Sequence, residues 1–164
     1  MNSKAKIKWR KSERFERMKK FELAFPPKKI FPLLCPVLEY EWLPGWKCVM
    51  CYSESGVAEK NAIFHTRENL GLRVVWTLIT YEPDRFVEYI MVSGKDAVVR
   101  LSVSLEENKS GNTQVTWRML FTLTSGISRH AIPRAFSPGN YERFVEQKQR
   151  ELDRYLRTGK MMGK

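Results

Sequence analysis

The chain has 164 residues, which is the length of one domain and enough to bury a core. Hydrophobic residues make up 43% and charged residues 29%, so the composition is that of a globular protein and excludes a disordered one. No apolar run approaches the ~20 residues that a membrane-spanning helix needs. Because no apolar segment follows the basic N-terminus, we expect no secretory signal and a cytoplasmic protein.

The net charge of +11 is concentrated at the two ends of the chain. Residues 1–20 contribute +7 and residues 154–164 contribute +4, so the rest of the chain is neutral. We therefore predict a basic flexible leader over residues 1–17, one folded domain over 18–158 and a basic tail over 159–164. A nucleic-acid-binding domain more often carries its cations on the folded body. Basic ends are usually solvated, although they also permit weak contact with RNA or an anionic surface.

The first predicted elements are one strand and two short helices. Polar and apolar residues alternate over residues 20–25, which is typical of a half-buried strand. Proline suits the first turn of a helix but not its interior, so the prolines within residues 26–42 predict two short helices with a break between them. Pro44-Gly45 then fits the two central positions of a type II turn.

Six further strands follow, and one long helix closes the chain. The strands are predicted at 46–54, 60–67, 73–81, 86–93, 97–106 and 114–124. Their links are too short for helical crossovers, so neighbouring strands should pair antiparallel. Ser137 can cap a final helix that begins at Pro138 and ends at Gly159. Its apolar stripe comprises Tyr141, Phe144, Val145, Leu152, Tyr155 and Leu156. This helix alone has enough apolar length to cover the sheet.

The element order resembles the START-like (SRPBCC) superfamily, which includes polyketide cyclase/dehydrase-like and lipid-transfer proteins. The resemblance covers about residues 18–158 and includes the stretches PPKKIFPLL at 26–34 and EYEWLPGW at 39–46. It implies an α+β helix-grip fold, in which a seven-stranded antiparallel sheet curves around the long C-terminal helix and two short helices follow strand 1. It also implies a cavity between sheet and helix. Members share no catalytic motif, so the resemblance implies no catalytic residue.

Several side chains are candidates for the wall of such a cavity. They are Trp76, Tyr89, Met91, Trp117, Met119, Phe121, Phe144 and Lys148. Lys148 lies in the middle of the apolar stripe of the last helix, where an unpaired ammonium is costly. It either binds a carboxylate or phenolate of a ligand, pairs with a core-facing acid such as Glu88 or Glu39, or extends along the stripe to solvent.

Two further groups of polar residues are weaker candidates. Glu39 or Glu41 could serve as an acid at the cavity rim, with His65 as a general base. A basic group could form a mouth that attracts anions, or could be a solvated loop before the last helix; its members are Arg129, His130 and Arg134, together with Lys28 and Lys29.

The cysteines indicate packed thiols rather than a metal or redox site. Cys48 and Cys51 form a C-x-x-C on a predicted strand, where residues three apart point to opposite faces. The chain has one further cysteine, Cys35, and its two histidines are isolated in sequence. Glycine-rich phosphate loops and nucleophile elbows are absent from the sequence. We therefore predict no metal and no cofactor.

The sequence favours a protein that binds or carries a hydrophobic or amphipathic small molecule without transforming it. The first alternative is a cyclase/dehydrase-type enzyme that uses a pocket acid or His65 for proton transfer. The second is an RNA- or ribosome-associated protein that uses its basic ends.

Overall fold

The computed structural model of the chain describes residues 12–67 and 73–163 and shows an α+β architecture. One antiparallel sheet contains seven strands, in the order β1-β7-β6-β5-β4-β3-β2. The strands are β1 Glu13–Leu23, β2 Cys48–Tyr52, β3 Ile63–Arg67, β4 Arg73–Glu82, β5 Phe86–Ser93, β6 Ala97–Glu107 and β7 Thr113–Leu123. Strands β2 to β7 pair in chain order, and β1 adds to the far edge beside β7. The predicted seven-stranded sheet is confirmed.

Strand β1 begins earlier than its sequence suggests. Phe15 pairs with Phe121 in register, and their rings stack with centroids 4.6 Å apart. The Arg17 side chain donates a hydrogen bond from Nε to the carbonyl of Phe136 over 2.8 Å. Residues 13–17 therefore belong to the sheet. The prediction that the flexible leader extends to residue 17 is wrong for these five residues. Charged residues dominate the segment, but long-range pairing with β7 determines its structure. Residues 1–11, the rest of the predicted leader, lie outside the described residues.

Within the described residues, four helices accompany the sheet. They are α1 Pro27–Ile30, which continues into a 3-10 turn at Phe31–Leu34, α2 Glu39–Trp42, α3 Ser128–Ala135 and α4 Pro138–Thr158. The predicted pair of short helices after strand 1 is confirmed. The segment that we predicted as a loop before the last helix instead contains α3. Its pattern was hidden because Pro133 lies inside the helix, a position that normally argues against helix.

The long helix α4 has the predicted ends and packs against the inner face of the sheet. Pro138 occupies its first turn, and Gly159 ends it at φ +65°, with its N–H donating to the Tyr155 carbonyl over 2.7 Å. Ser137 precedes the helix but makes no side-chain capping bond. Tyr141 is buried and donates its hydroxyl to the Trp117 carbonyl on β7 at 2.9 Å. No helix in the described part of the chain has the length and apolar character to cross a membrane.

The core consists of the inner face of the sheet and the residues that cover it. Alternate residues of β6 and β7 point inward and are buried; they are Ala97, Val99, Leu101, Val103, Leu105, Val115, Trp117, Met119, Phe121 and Leu123. The intervening residues of both strands are polar or half-buried, so the sheet is covered on one side, as the alternation predicted. The covering elements do not fill the space above this face completely, and the space that remains is the candidate site.

Candidate functional site

A cavity of about 500 Å³ lies between the inner face of the sheet and helices α2, α3 and α4. Every strand from β3 to β7 contributes to its wall. All eight residues that the sequence predicted are in this wall: Trp76, Tyr89, Met91, Trp117, Met119, Phe121, Phe144 and Lys148. The structure thus brings them together around one space, and their contact with a ligand remains a prediction.

One end of the wall is aromatic, and its polar atoms are occupied by the protein itself. The rings of Phe64 and Trp76 stack with centroids 5.3 Å apart, and Tyr89 stands at right angles to Phe64 at 6.0 Å. Trp76 donates its Nε1–H to Thr66 Oγ1 at 2.9 Å, and Tyr89 donates its hydroxyl to the Leu34 carbonyl at 2.9 Å. Because these donors are already bonded, the wall offers a ligand mainly ring surfaces.

Trp46 completes this aromatic wall through the turn that precedes β2. Gly45 has φ +75°, and the Trp46 N–H donates to the Leu43 carbonyl at 3.2 Å, as expected for the predicted type II turn. The turn places the Trp46 ring edge-on to Trp76 at 6.1 Å, and its Nε1–H donates to the Pro36 carbonyl at 2.8 Å. Sequence reasoning identified the turn but missed that the next side chain lines the cavity.

Lys148 lies in the cavity wall, but its ammonium is already engaged. Its Nζ is 3.0 Å from Oε2 of Glu151 and lies 5.6 Å from the centre of the Phe144 ring. Glu151 is 3% exposed, and its other oxygen accepts a hydrogen bond from Gln147 Nε2 at 2.8 Å. The pairing follows from the (i, i+3) spacing on one helix, which the sequence contained and the sequence analysis missed.

The predicted pairing of Lys148 with Glu88 is wrong. Glu88 accepts two hydrogen bonds from Arg100, from Nε at 2.5 Å and from Nη2 at 2.8 Å. It alternates with Tyr89, whose side chain lines the cavity, so Glu88 points to the outer face of the sheet. Alternation alone did not reveal which face of β5 turns inward.

Glu39 is the acidic group of the cavity wall. It is the first residue of α2, and its carboxyl makes no hydrogen bond or ion pair with any residue of the described ranges. Burial raises the pKa of Glu39 to about 8, and the nearby charge of Lys148 opposes this rise. At neutral pH this carboxyl is therefore mostly protonated. The residue keeps some accessible surface because the cavity reaches it.

Two other candidates for acid–base chemistry lie away from the cavity. Glu41 is exposed and is not part of the cavity wall. His65 pairs across the sheet with Val49 and Val75, both exposed on the outer face. Burial and the charges of nearby arginines, Arg73 before Arg67, lower the pKa of His65. The hypothesis of a pocket base at His65 is wrong, because its β3 neighbours occupy the inward positions.

The predicted basic mouth does not form. None of its five residues lines the cavity. Arg129, His130 and Arg134 lie on α3, and Lys28 and Lys29 lie on α1. Besides Lys148, the basic residues that line the wall are Lys47 and Arg67, both exposed, and sequence reasoning did not select them. They come close because the β2–β3 pairing, which joins Cys48 to Thr66, places them next to each other.

The cations near the N-terminus serve partly in the fold. In addition to Arg17, Lys19 forms ion pairs with Glu146 at 2.6 Å and with Glu142 at 3.0 Å, which attach β1 to α4. These ion pairs raise the pKa of Lys19, and the Glu146 hydrogen bond contributes most. RNA contact through the remaining basic residues of the two ends stays a prediction.

The three cysteines are free thiols in different environments. Cys35 is buried, Cys48 is half-buried and Cys51 is exposed. The Cys35 sulfur accepts a hydrogen bond from the Ala58 N–H at 3.2 Å, which is a packing role. Burial raises the pKa of the Cys48 thiol, so it is protonated at neutral pH.

The fold and the cavity together define a helix-grip protein with a ligand-sized space between sheet and long helix. The chain matches the family model described as polyketide cyclase / dehydrase and lipid transport over residues 18–153, and it belongs to that family. The START-like resemblance is thereby confirmed. A comparison with curated proteins found no match.

Solved structures of low sequence identity share the fold. A protein of unknown function from Staphylococcus aureus is 10% identical and aligns over 90% of this chain and 96% of its own, with a TM-score of 0.68. Norcoclaurine synthase from Thalictrum flavum is also 10% identical, over 90% of this chain and 88% of its own, with a TM-score of 0.66. An uncharacterised protein from Rhizobium leguminosarum is 14% identical and aligns over 90% of this chain and 97% of its own, with a TM-score of 0.64. At these identities the likeness concerns the fold alone.

Proposed function

We propose that this protein binds and carries an amphipathic small molecule in the cavity between its sheet and α4. The observation that carries the proposal is a mostly apolar space of about 500 Å³ whose wall, among the residues that the structure describes, contains one unpaired carboxyl, that of Glu39. Ligand cavities have volumes of about 300–1,000 Å³ and combine an apolar wall with a few polar anchors. The family, whose description includes lipid transport, is consistent with this function.

The wall itself indicates what the ligand must offer. The N–H of Trp76 and the hydroxyl of Tyr89 are bonded to protein acceptors, and the ammonium of Lys148 is paired with Glu151. Ring surfaces, the Glu39 carboxyl and the Nε1–H of Trp117, which is buried without a hydrogen-bond partner among the described residues, are what remains for recognition. A ligand that buries an apolar body against these rings gains about 25 cal/mol for each Å² removed from water. The hypothesis that Lys148 is the main anchor for a ligand carboxylate loses support, because Glu151 already neutralises it.

Native mass spectrometry of the purified full-length chain, followed by organic extraction, tests this proposal. A discrete bound mass that organic solvent releases is the expected result. Leu101 lines the cavity from the centre of β6, so Leu101→Trp should fill the space and remove the bound mass. Its neighbour Ser102 pairs with Glu88 and lies on the outer face of the sheet. Ser102→Trp therefore adds the same ring outside the cavity, and this variant should retain the bound mass. The proposal would be refuted if the protein has only the mass of the ligand-free chain and also fails to bind apolar dyes.

A second candidate function is proton transfer on a bound substrate, with Glu39 as the general acid or base. Efficient acid–base catalysis requires a pKa near the working pH, and burial raises the pKa of Glu39 to about 8. The carboxyl is also free of protein partners within the described ranges and faces the cavity, so a bound molecule can reach it. The family description includes cyclase and dehydrase activity, which both require proton transfer.

The ring opening of a nitrobenzisoxazole, which needs only proton abstraction in an apolar pocket, tests this second function. Ionised Glu39 is the active form, so the rate should rise with pH and level off above about pH 8. Glu39→Gln should abolish the rate, and Glu41→Gln, a change two residues away on the exposed side, should leave it intact. Equal rates in the two variants would exclude Glu39 as the base.

A further inference from the structure

Two carboxyls and one ammonium lie close together at the inner part of the cavity. Glu39 and Lys148 line the cavity, whereas Glu151 is not part of the wall and pairs with Lys148. Glu151 is 3% exposed and uses both oxygens, one for Lys148 and one for Gln147, so it already holds the ammonium in a buried pair. Buried carboxylates are stable when they are paired and hydrogen-bonded. One of the two acids, Glu39, therefore has no counterion among the residues that the structure describes.

The neighbours of Glu39 do not supply the missing partner. The charged group that acts on it is Lys148 on α4, whose ammonium is committed to Glu151 and also lies over the Phe144 ring. Tyr89 on β5 donates its hydroxyl to a backbone carbonyl, and its pKa is raised by burial and by Glu39, so it is neutral. Cys48 on β2 is a neutral thiol whose pKa is likewise raised by burial and by Glu39.

We propose that the cavity is specific for an amine, and that it binds a molecule with an apolar ring system and an ammonium group that pairs with Glu39. This inference rests on the proposed function and specifies its ligand. An ammonium supplies both the charge and the N–H donors that Glu39 lacks, whereas an alcohol supplies only a donor. A carboxylate ligand beside Glu39 would bring a third carboxyl close to one buried ammonium, that of Lys148. The ring faces of Trp46, Trp76 and Tyr89 also favour a nearby cation.

The basic residues of the wall do not oppose this assignment strongly. Lys47 and Arg67 are exposed, so solvent and salt screen their charges. They would slow the entry of a cation at low salt, while the bound ammonium at Glu39 is in a region that salt screens much less. The preference for an amine should therefore persist when the ionic strength is raised.

Titration calorimetry with three matched probes tests the proposal on the full-length protein at pH 7. The probes are naphthylethylamine, naphthylethanol and naphthylacetate, which share one ring system and differ in their polar group. The amine should bind about tenfold to a hundredfold more tightly than the alcohol, the range expected for a hydrogen bond to a charged group. The acetate should bind most weakly. Glu39→Gln should remove the amine's advantage, and Glu41→Gln should retain it.

Proton release provides a second readout that a change in packing alone would not produce. Free Glu39 is mostly protonated at pH 7 because its pKa is about 8, and it must ionise to pair with an ammonium. Amine binding should therefore release up to about one proton per molecule bound, measured by repeating the titration in buffers of different ionisation enthalpy. Glu39→Gln should release none.

The outcomes separate this inference from the proposed function. If the alcohol or the acetate binds the wild type as tightly as the amine does, the amine assignment is wrong and the carrier function stands. If the amine's advantage survives in Glu39→Gln, Glu39 is not its counterion and the assignment is also wrong. If none of the three probes binds, both proposals are wrong.

Discussion

Replacing Glu39 by Gln should make the protein more stable at alkaline pH. The carboxyl has a folded pKa of about 8, against an ordinary value of 4.5, because burial disfavours its charged form. Below pH 4.5 it is protonated in both folded and unfolded states and contributes no pH dependence. Between pH 4.5 and 8 the unfolded state holds fewer protons than the folded state, so the free energy of unfolding falls as pH rises. Above pH 8 the loss is complete.

The size of this effect follows from the separation of the two pKa values. Each pH unit between them contributes about 1.4 kcal/mol, which gives about 5 kcal/mol for a fully dry carboxyl. Water that enters the cavity stabilises the carboxylate, so we expect about 2–5 kcal/mol in the protein. Glutamine has nearly the same shape and no charge at any pH, so the variant lacks this contribution.

Urea unfolding of wild type and Glu39→Gln at a series of pH values from about 5 to 9 measures the effect. The two proteins should have similar stability near pH 5, and the variant should be more stable by the stated amount near pH 9. Glu41→Gln is the control, because Glu41 is exposed on the same helix and should leave the wild-type pH dependence unchanged. Parallel curves for wild type and Glu39→Gln would refute the argument that this carboxyl is buried without a partner.

Other substitutions test the packing and the pairing around the cavity. Lys148→Met should lower the free energy of unfolding by about 3 kcal/mol in thermal or urea unfolding, because it leaves Glu151 buried without its counterion. Adding Glu151→Gln to that variant should recover most of the loss, and strictly additive losses would contradict the pairing. Leu101→Trp should weaken binding of naphthalene-sized probes by more than about tenfold in a fluorescence titration, because its indole occupies the cavity. Phe15→Ala should cost about 2 kcal/mol of stability, since its ring stacks on Phe121, and a neutral outcome would place residues 13–17 outside the folded domain.

The candidate site shows how far residue patterns can locate a cavity. Strand alternation and helix periodicity specify which side chains share a face, and this located the wall residues on β7 and α4. On β4 and β5 alternation did not specify the inward face, so the predicted wall residues there were large apolar side chains. Phe64 and Trp46 were missed, since the first lies on a five-residue strand and the second follows a turn, and neither position has a clear alternation. His65 was assigned to the cavity because its residue type suits acid–base chemistry, but the β3 pairing turns it outward.

The environment of Glu39 also shows which features residue patterns can locate and which they cannot. The sequence placed this acid beside the turn at Pro44-Gly45 and suggested it as a rim acid or as a partner for Lys148. The sequence analysis did not predict that Glu151 forms an ion pair with Lys148, although the two residues have the (i, i+3) spacing that permits it. Whether a carboxyl is paired, hydrated or dry depends on side chains from several elements, and pKa values respond to all of them.

The sequence by itself determined the order of the seven strands, their antiparallel pairing, the two short helices and the length and ends of α4, because these follow from local periodicity, proline and glycine positions and the lengths of connections. Only the tertiary structure decided the start of β1, where pairing with β7 overrides a charged local composition, and the helical state of α3 despite Pro133. The tertiary structure also decided which face of β5 turns inward, how much open volume remains above the sheet and that the Glu39 carboxyl has no partner among the described residues. Each of these depends on contacts between residues far apart in the chain, which a local pattern does not encode.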